Sequence, residues 1–133
     1  MDLKSYFTAT RGTGTLATAS RDGRVNAAIY SRPFIADDGS AAFIMANKMT
    51  RSNLQENGSA VYLFQESGPG YRGCRLYLTK VKEEQNAALV EELCRRCRLN
   101  EPSGEAKDLA VVYFTVDQIL PLIGAGELLD HAE

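Results

Sequence analysis

The run Asn47-Lys48-Met49-Thr50-Arg51-Ser52-Asn53 joins an apolar segment to a stretch with helical character, and it is where this chain is best equipped to hold an anion. The opening turn of a helix leaves backbone N–H groups without partners and carries the positive end of the helix dipole, here over Thr50 to Asn53. Lys48 and Arg51 add formal charge beside them. A phosphate suits such a place. A solvated cap carrying two basic residues is the competing reading, and spacing alone does not separate the two.

A second candidate is Arg24-Val25-Asn26-Ala27-Ala28-Ile29-Tyr30. Small residues at Ala27 and Ala28 let a flat ring approach the backbone, and the Asn26 amide both donates and accepts. Small residues that relieve crowding in a narrow barrel would read the same way. Gly68-Pro69-Gly70-Tyr71-Arg72-Gly73 is a third candidate, a loop with an aromatic and a cation at its tip, or else an ordinary long hairpin connection. Cys94 and Cys97 have the spacing of a redox or metal pair, but the pattern around them is helical, no second ligand pair exists, and the single histidine, His131, is remote. Together with Cys74 they read as reduced structural thiols, with no metal site expected.

These residues need a frame, and the chain spells out a mainly β one. Six strand-like stretches cover 13–19, 24–35, 41–46, 60–65, 75–82 and 109–116. Asp22-Gly23 and Asp38-Gly39 mark hairpin turns, because Gly after Asp accepts the positive φ that tight hairpins need. Pro33 bends or frays the second strand near its end. A short helix is expected over 50–57, with Thr50 as its cap, Leu54 as its apolar anchor and Gly58 as its left-handed terminator. A longer amphipathic helix is expected over 83–99, where Leu89, Val90, Leu93, Cys94 and Cys97 share one stripe. Residues 100–108 and 121–126 read as loops. The pattern predicts a small closed or partly closed antiparallel barrel with two to three flanking helices.

Composition narrows the function classes. With 133 residues and 44% hydrophobic content, residues 1–133 make one domain. A formal charge of −2 gives no field for nucleic acid or an anionic membrane surface. No apolar run reaches the ~18 residues of a membrane span and the amino terminus lacks a signal-like apolar region, so a cytoplasmic protein is expected.

The order Thr15-Leu16-Ala17-Thr18-Ala19, Asp22-Gly23-Arg24-Val25-Asn26, Phe43-Ile44-Met45-Ala46, Thr50-Arg51-Ser52-Asn53-Leu54 and Asn57-Gly58-Ser59-Ala60-Val61-Tyr62-Leu63-Phe64 resembles the pyridoxamine 5'-phosphate oxidase-like superfamily, small bacterial FMN-binding proteins included. The match spans roughly residues 10–82. The resemblance implies a six-stranded antiparallel split β-barrel and a homodimer with FMN in a cleft at its interface. It implies that Lys48, Thr50, Arg51, Ser52 and Asn53 hold the phosphate, that Asn26, Ala27, Ala28 and Ile29 lie beside the ring, and that Met45 and Ala46 lie under the ribityl chain. Gln65 matches a position that contacts the cofactor from the partner subunit.

The departures bear on the reaction. The chain has no tryptophan, and Pro121-Leu122-Ile123-Gly124-Ala125-Gly126-Glu127 is unlike the arginine- and tryptophan-containing end of the true oxidases, which argues against vitamin oxidation. His131 is a poor stand-in for the histidine motif of haem-degrading relatives. The favoured reading is a flavin-dependent oxidoreductase acting on an unidentified small molecule, with no catalytic side chain assigned. The alternatives are a non-enzymatic FMN carrier or electron-transfer module and a cofactor-free regulatory dimer; a deazaflavin or haem could replace FMN.

Overall fold

The structure, a computed structural model, describes residues 2–46, 48–97 and 109–124, with side chains for all of these except 94–97. In chain order its elements are α1 (Leu3–Ala9), β1 (Gly12–Ala19), β2 (Val25–Tyr30), β3 (Phe34–Ile35), β4 (Ala41–Ala46), α2 (Met49–Glu56), β5 (Ser59–Glu66), β6 (Gly73–Glu84), α3 (Ala87–Cys97) and β7 (Leu109–Pro121). The strands form one antiparallel sheet in the order β2-β1-β5-β6-β7-β4-β3. It curls into a half-barrel whose edges approach each other: Tyr30 of β2 meets Phe43 of β4 edge to face, with ring centroids 6.1 Å apart.

The described sheet has seven strands where six were expected. The stretch 24–35 is two strands, because Pro33 has no N–H to donate to a ladder and Ser31, Arg32 and Pro33 leave it. β2 stays on one edge beside β1, and β3 goes to the other edge beside β4. The two hairpin turns form as expected, with Gly23 and Gly39 at φ of 86° and 90°. Gly58 does not terminate α2 in the left-handed region; Asn57 ends that helix with an extended backbone, φ −145°.

Tyr62 stands at the centre of the barrel interior, with ring centroids 5.0 Å from Phe43 and 6.2 Å from Phe7. Its hydroxyl donates to the Tyr30 carbonyl at 3.1 Å, tying β5 to β2 across β1. Gly14 on β1 leaves the room for this, since a Cβ there would collide with the Tyr62 ring and hydroxyl.

Helix α1, for which no element was expected, plugs one end of the barrel. Asp2 accepts from the Ser5 amide at its start, Leu3 and Phe7, one turn apart, are buried, and Arg32 Nη1 donates to the carbonyls of Phe7 and Thr10 at 2.7 and 2.9 Å, satisfying groups left open at the helix end.

β6 runs on to Glu84, past the expected end, because Glu83 and Glu84 pair with Val112 and Val111 of β7. The longer helix therefore starts at Ala87, where the Asn86 side chain accepts from the Leu89 amide. Val90 and Leu93 of α3 pack on Ala42, Leu109 and Val111, covering the outer face of β4 and β7. β7 also exceeds its expected length and ends at Pro121 opposite Cys74. The outer face of β2, β1, β5 and β6 carries the rows Ala27-Ala17-Val61-Tyr77 and Ile29-Thr15-Leu63-Arg75. No described element lies over it, and Val25 and Ile29 are 82% and 69% exposed. No described helix is long and apolar enough to cross a membrane.

Candidate functional site

α2 lies across the open seam, against β1, β2 and β4. The seam exists because β2 and β4 do not pair, and a helix one turn after β4 is placed to bridge it. Polar side chains make the bridge. Asn26 Nδ2 donates to Thr50 Oγ1 at 3.3 Å, and Asn53 Nδ2 donates to Thr18 Oγ1 at 3.1 Å. Thr18 and Asn26 are themselves cross-strand partners. Tyr30 also bonds Thr50; burial pushes its hydroxyl pKa above the ordinary value, and the Thr50 bond offsets part of the rise.

Arg51 points inward as well, with its side chain 6% exposed. Its Nε and Nη2 donate to Glu83 Oε2 at 3.3 and 3.0 Å, and the other Glu83 oxygen accepts from Lys80 at 3.1 Å. Burial works against the Glu83 charge, but the bonds from Lys80 and Arg51 outweigh it and hold the carboxyl below its usual range.

Solvent reaches the other side of the first turn. Lys48 occupies the N-cap position with an extended backbone, and its own side chain makes no capping hydrogen bond. Thr50, expected as the cap, is instead the second helical residue and is buried. Lys48, Met49 and Ser52 are exposed there.

The structure thus brings Asn26, Lys48, Thr50, Arg51, Ser52 and Asn53 to one place, with Ala46 at the end of β4 beside them. The pleat of β2 divides its four residues: Asn26 and Ala28 are half-buried, whereas Ala27 and Ile29 face out with Val25. Met45 is fully buried inside the barrel. Gln65 pairs with Thr13, five positions along β1 from Thr18 and roughly 17 Å away at the usual strand rise; it shares the bare outer face with Leu63. The loop with Tyr71 and Arg72 is the β5–β6 hairpin at that same far end, held by Glu66 N to Arg72 O. Sequence reasoning missed Glu83 because the helical period was read from Glu83 onward, and Lys80, inside the expected strand 75–82, was left without its partner. Thr18 and Tyr30 could have been found from strand alternation.

Cys74 is a buried free thiol, and burial pushes its pKa up to about 12. Among the described residues no group of three or more His, Cys, Asp or Glu could hold a metal ion. The side chains of Cys94 and Cys97, and Asn47 and His131 altogether, lie outside the described residues.

No protein-family model and no curated protein matches this sequence. Solved structures match its shape. An FMN-binding protein from Syntrophomonas wolfei subsp. wolfei is 22% identical with a TM-score of 0.70, over 93% of this chain and 86% of that one. An F420 reductase is 19% identical with a TM-score of 0.65, over 86% and 94%. A pyridoxamine 5'-phosphate oxidase candidate from Lactobacillus delbrueckii is 11% identical with a TM-score of 0.66, over 90% and 92%. The fold is that of the pyridoxamine 5'-phosphate oxidase-like split barrels. This split barrel keeps its seam open between β2 and β4, and the residues gathered there are those of α2's first turn.

Proposed function

We propose that this split barrel binds FMN as a cytoplasmic homodimer and serves as a flavin-dependent oxidoreductase for a small molecule. The observation that carries the reading is the first turn of α2 at the seam, which the Lys48 side chain leaves uncapped, flanked by exposed Lys48 and Ser52. A phosphate there would take hydrogen bonds from first-turn amides, the Ser52 hydroxyl and the Lys48 ammonium. Thr50, Arg51 and Asn53 would hold the turn in place from behind. Asn26 and Ala28 offer an amide and a small side chain at the edge of β2, which fits a planar ring, and Ala46 borders the path between the two ends. Met45 would support that path from inside the barrel.

The homodimer is supported by the bare apolar face that includes Val25, Ile29, Leu63 and Tyr77. Gln65 lies on that face and far from α2 in its own chain, which suits contact with a cofactor held by a second copy. Bound flavin would supply the hydride chemistry, and the protein's part is to fix the phosphate, seat the ring and exclude water.

The test is direct. Protein purified without added cofactor should be yellow or turn yellow when titrated with FMN, and nicotinamide donors should bleach the bound flavin. A colourless protein that ignores FMN sinks the reading, and bound FMN that no donor reduces leaves a carrier. Lys48→Ala should weaken FMN by about 1.5–3 kcal/mol, the range for hydrogen bonds to a charged group. The F420 reductase among the structural neighbours favours one second reading, a deazaflavin at the same site. Tighter binding of F420 than of FMN would select it.

A further inference from the structure

We propose that Glu83 is a positioning residue for the anion-binding turn: it clamps Arg51 from the opposite side of the barrel, so that Arg51 acts as a strut behind the phosphate site and not as a phosphate ligand. The inference rests on the FMN reading above for its binding readout, and on geometry for its origin.

The geometry begins with a β-bulge. In a regular strand, residues three apart point to opposite faces. Lys80 pairs with Phe114 and Lys82 with Tyr113, so Val81 is an extra residue that reverses the alternation. As a result Lys80 and Glu83 both face the barrel interior and bond each other at 3.1 Å, while Lys82 and Glu84 face out, where Lys82 lies over the Tyr113 ring. Without the bulge, Glu83 would face outward, away from α2.

The bulge aims a carboxylate at a guanidinium that the rest of the helix has turned inward. The Arg51 and Glu83 side chains are 6% and 22% exposed, and both Nε and Nη2 of Arg51 go to one Glu83 oxygen. Arg51 sits in the same turn as Thr50 and two residues before Asn53, whose bonds to Asn26 and Thr18 fasten the other flank of α2. The turn is therefore held from β1 and β2 on one side and from β6 on the other, and the amides that would meet phosphate keep a fixed direction.

The sign of one substitution separates a strut from a ligand. If Arg51 positions the turn, Glu83→Gln loosens it and FMN affinity falls, by about tenfold. If Arg51 is a ligand for which Glu83 competes, the same change frees a cation and affinity rises. Removing one member of a buried ion pair is strongly destabilising, whereas replacing both by apolar residues of similar volume is often neutral. Because Lys80 shares the Glu83 carboxylate, the whole triad must be replaced: Arg51→Met/Lys80→Met/Glu83→Leu should bind FMN within about threefold of wild type and better than Arg51→Met alone. Amide hydrogen exchange on the cofactor-free protein gives a readout independent of flavin: Glu83→Gln should exchange faster at Thr50 to Asn53. Unchanged or tighter FMN binding in Glu83→Gln, a triple variant as weak as Arg51→Met, or unaltered exchange in the first turn would each overturn the strut. A wild type that never binds FMN sinks only the functional reading, and exchange then decides the strut.

Discussion

The outer surface of the sheet has two halves that differ in what lies on them. Over β4 and β7, Val90 and Leu93 of α3 cover Ala42, Leu109 and Val111, and the strands there are buried on both faces. Over β2, β1 and β5 the outward residues are also apolar or small, yet Val25 and Ile29 are largely exposed. The strand chemistry is similar; among the described residues only the covering differs. A sheet whose two faces are both apolar needs two coverings, and the described residues supply one and a half of them. The contrast teaches that α3 completes a folding core, whereas the bare half adds exposed apolar surface to the same sheet, the surface on which the proposed homodimer rests.

The largest expected effect belongs to the covered half. Leu93→Ala should lower unfolding free energy by about 2–5 kcal/mol in chemical denaturation. Leu63→Ala, on the bare half, should cost under about 0.5 kcal/mol in dilute protein; equal costs would break the comparison. Next comes association itself. Ile29→Asp should keep the fold but sediment at half the wild-type mass, a loss of about 2 kcal/mol or more at the interface. Wild type that sediments as a monomer at every concentration would show that the bare face has no second copy.

A smaller effect is confined to acid. Glu83 is held below its ordinary value of 4.5, so its contribution to stability is complete above that pH and is lost as pH falls through the lower folded value. Wild type should exceed Glu83→Gln in stability at neutral pH, and the gap should close in acid. A gap that persists at low pH would mean the ion pair is not its source. The smallest effect is an absence: Cys74 should resist thiol reagents at pH 8 in the native state, as a thiol raised to about 12 must. Mass mapping of labelled native protein checks it, and modification at Cys74 would show that the interior opens.

Much of this frame was legible from residue types. Asp22-Gly23 and Asp38-Gly39 gave their hairpins because positive φ is a local property of glycine. The helix after β4 was placed to within one residue, and Leu54 is its buried anchor. What stayed hidden was decided by partners distant in sequence. Glu83 and Glu84 look helical by period but join β6 because Val112 and Val111 of β7 offer them a ladder. The break after Tyr30 was signalled by Pro33, but not that the two pieces would lie on opposite edges. At the site, the cluster 48–53 was legible as a group, and its division was not. Which of Lys48, Thr50, Arg51 and Ser52 face water depends on Asn26, Thr18 and Glu83, none of them neighbours in the chain.

Ser31, Arg32 and Pro33 act as a tether. They link two strands that flank the same gap, and Tyr30 and Phe43 touch beside them. The seam is therefore pinned at Tyr30, whose side chain touches both Phe43 of β4 and Thr50 of α2. Three residues set its aperture: a longer tether would let the edges drift apart, and a shorter one would draw Tyr30 away from Phe43. The spacing of the two edges is thus gauged by a segment that belongs to neither strand.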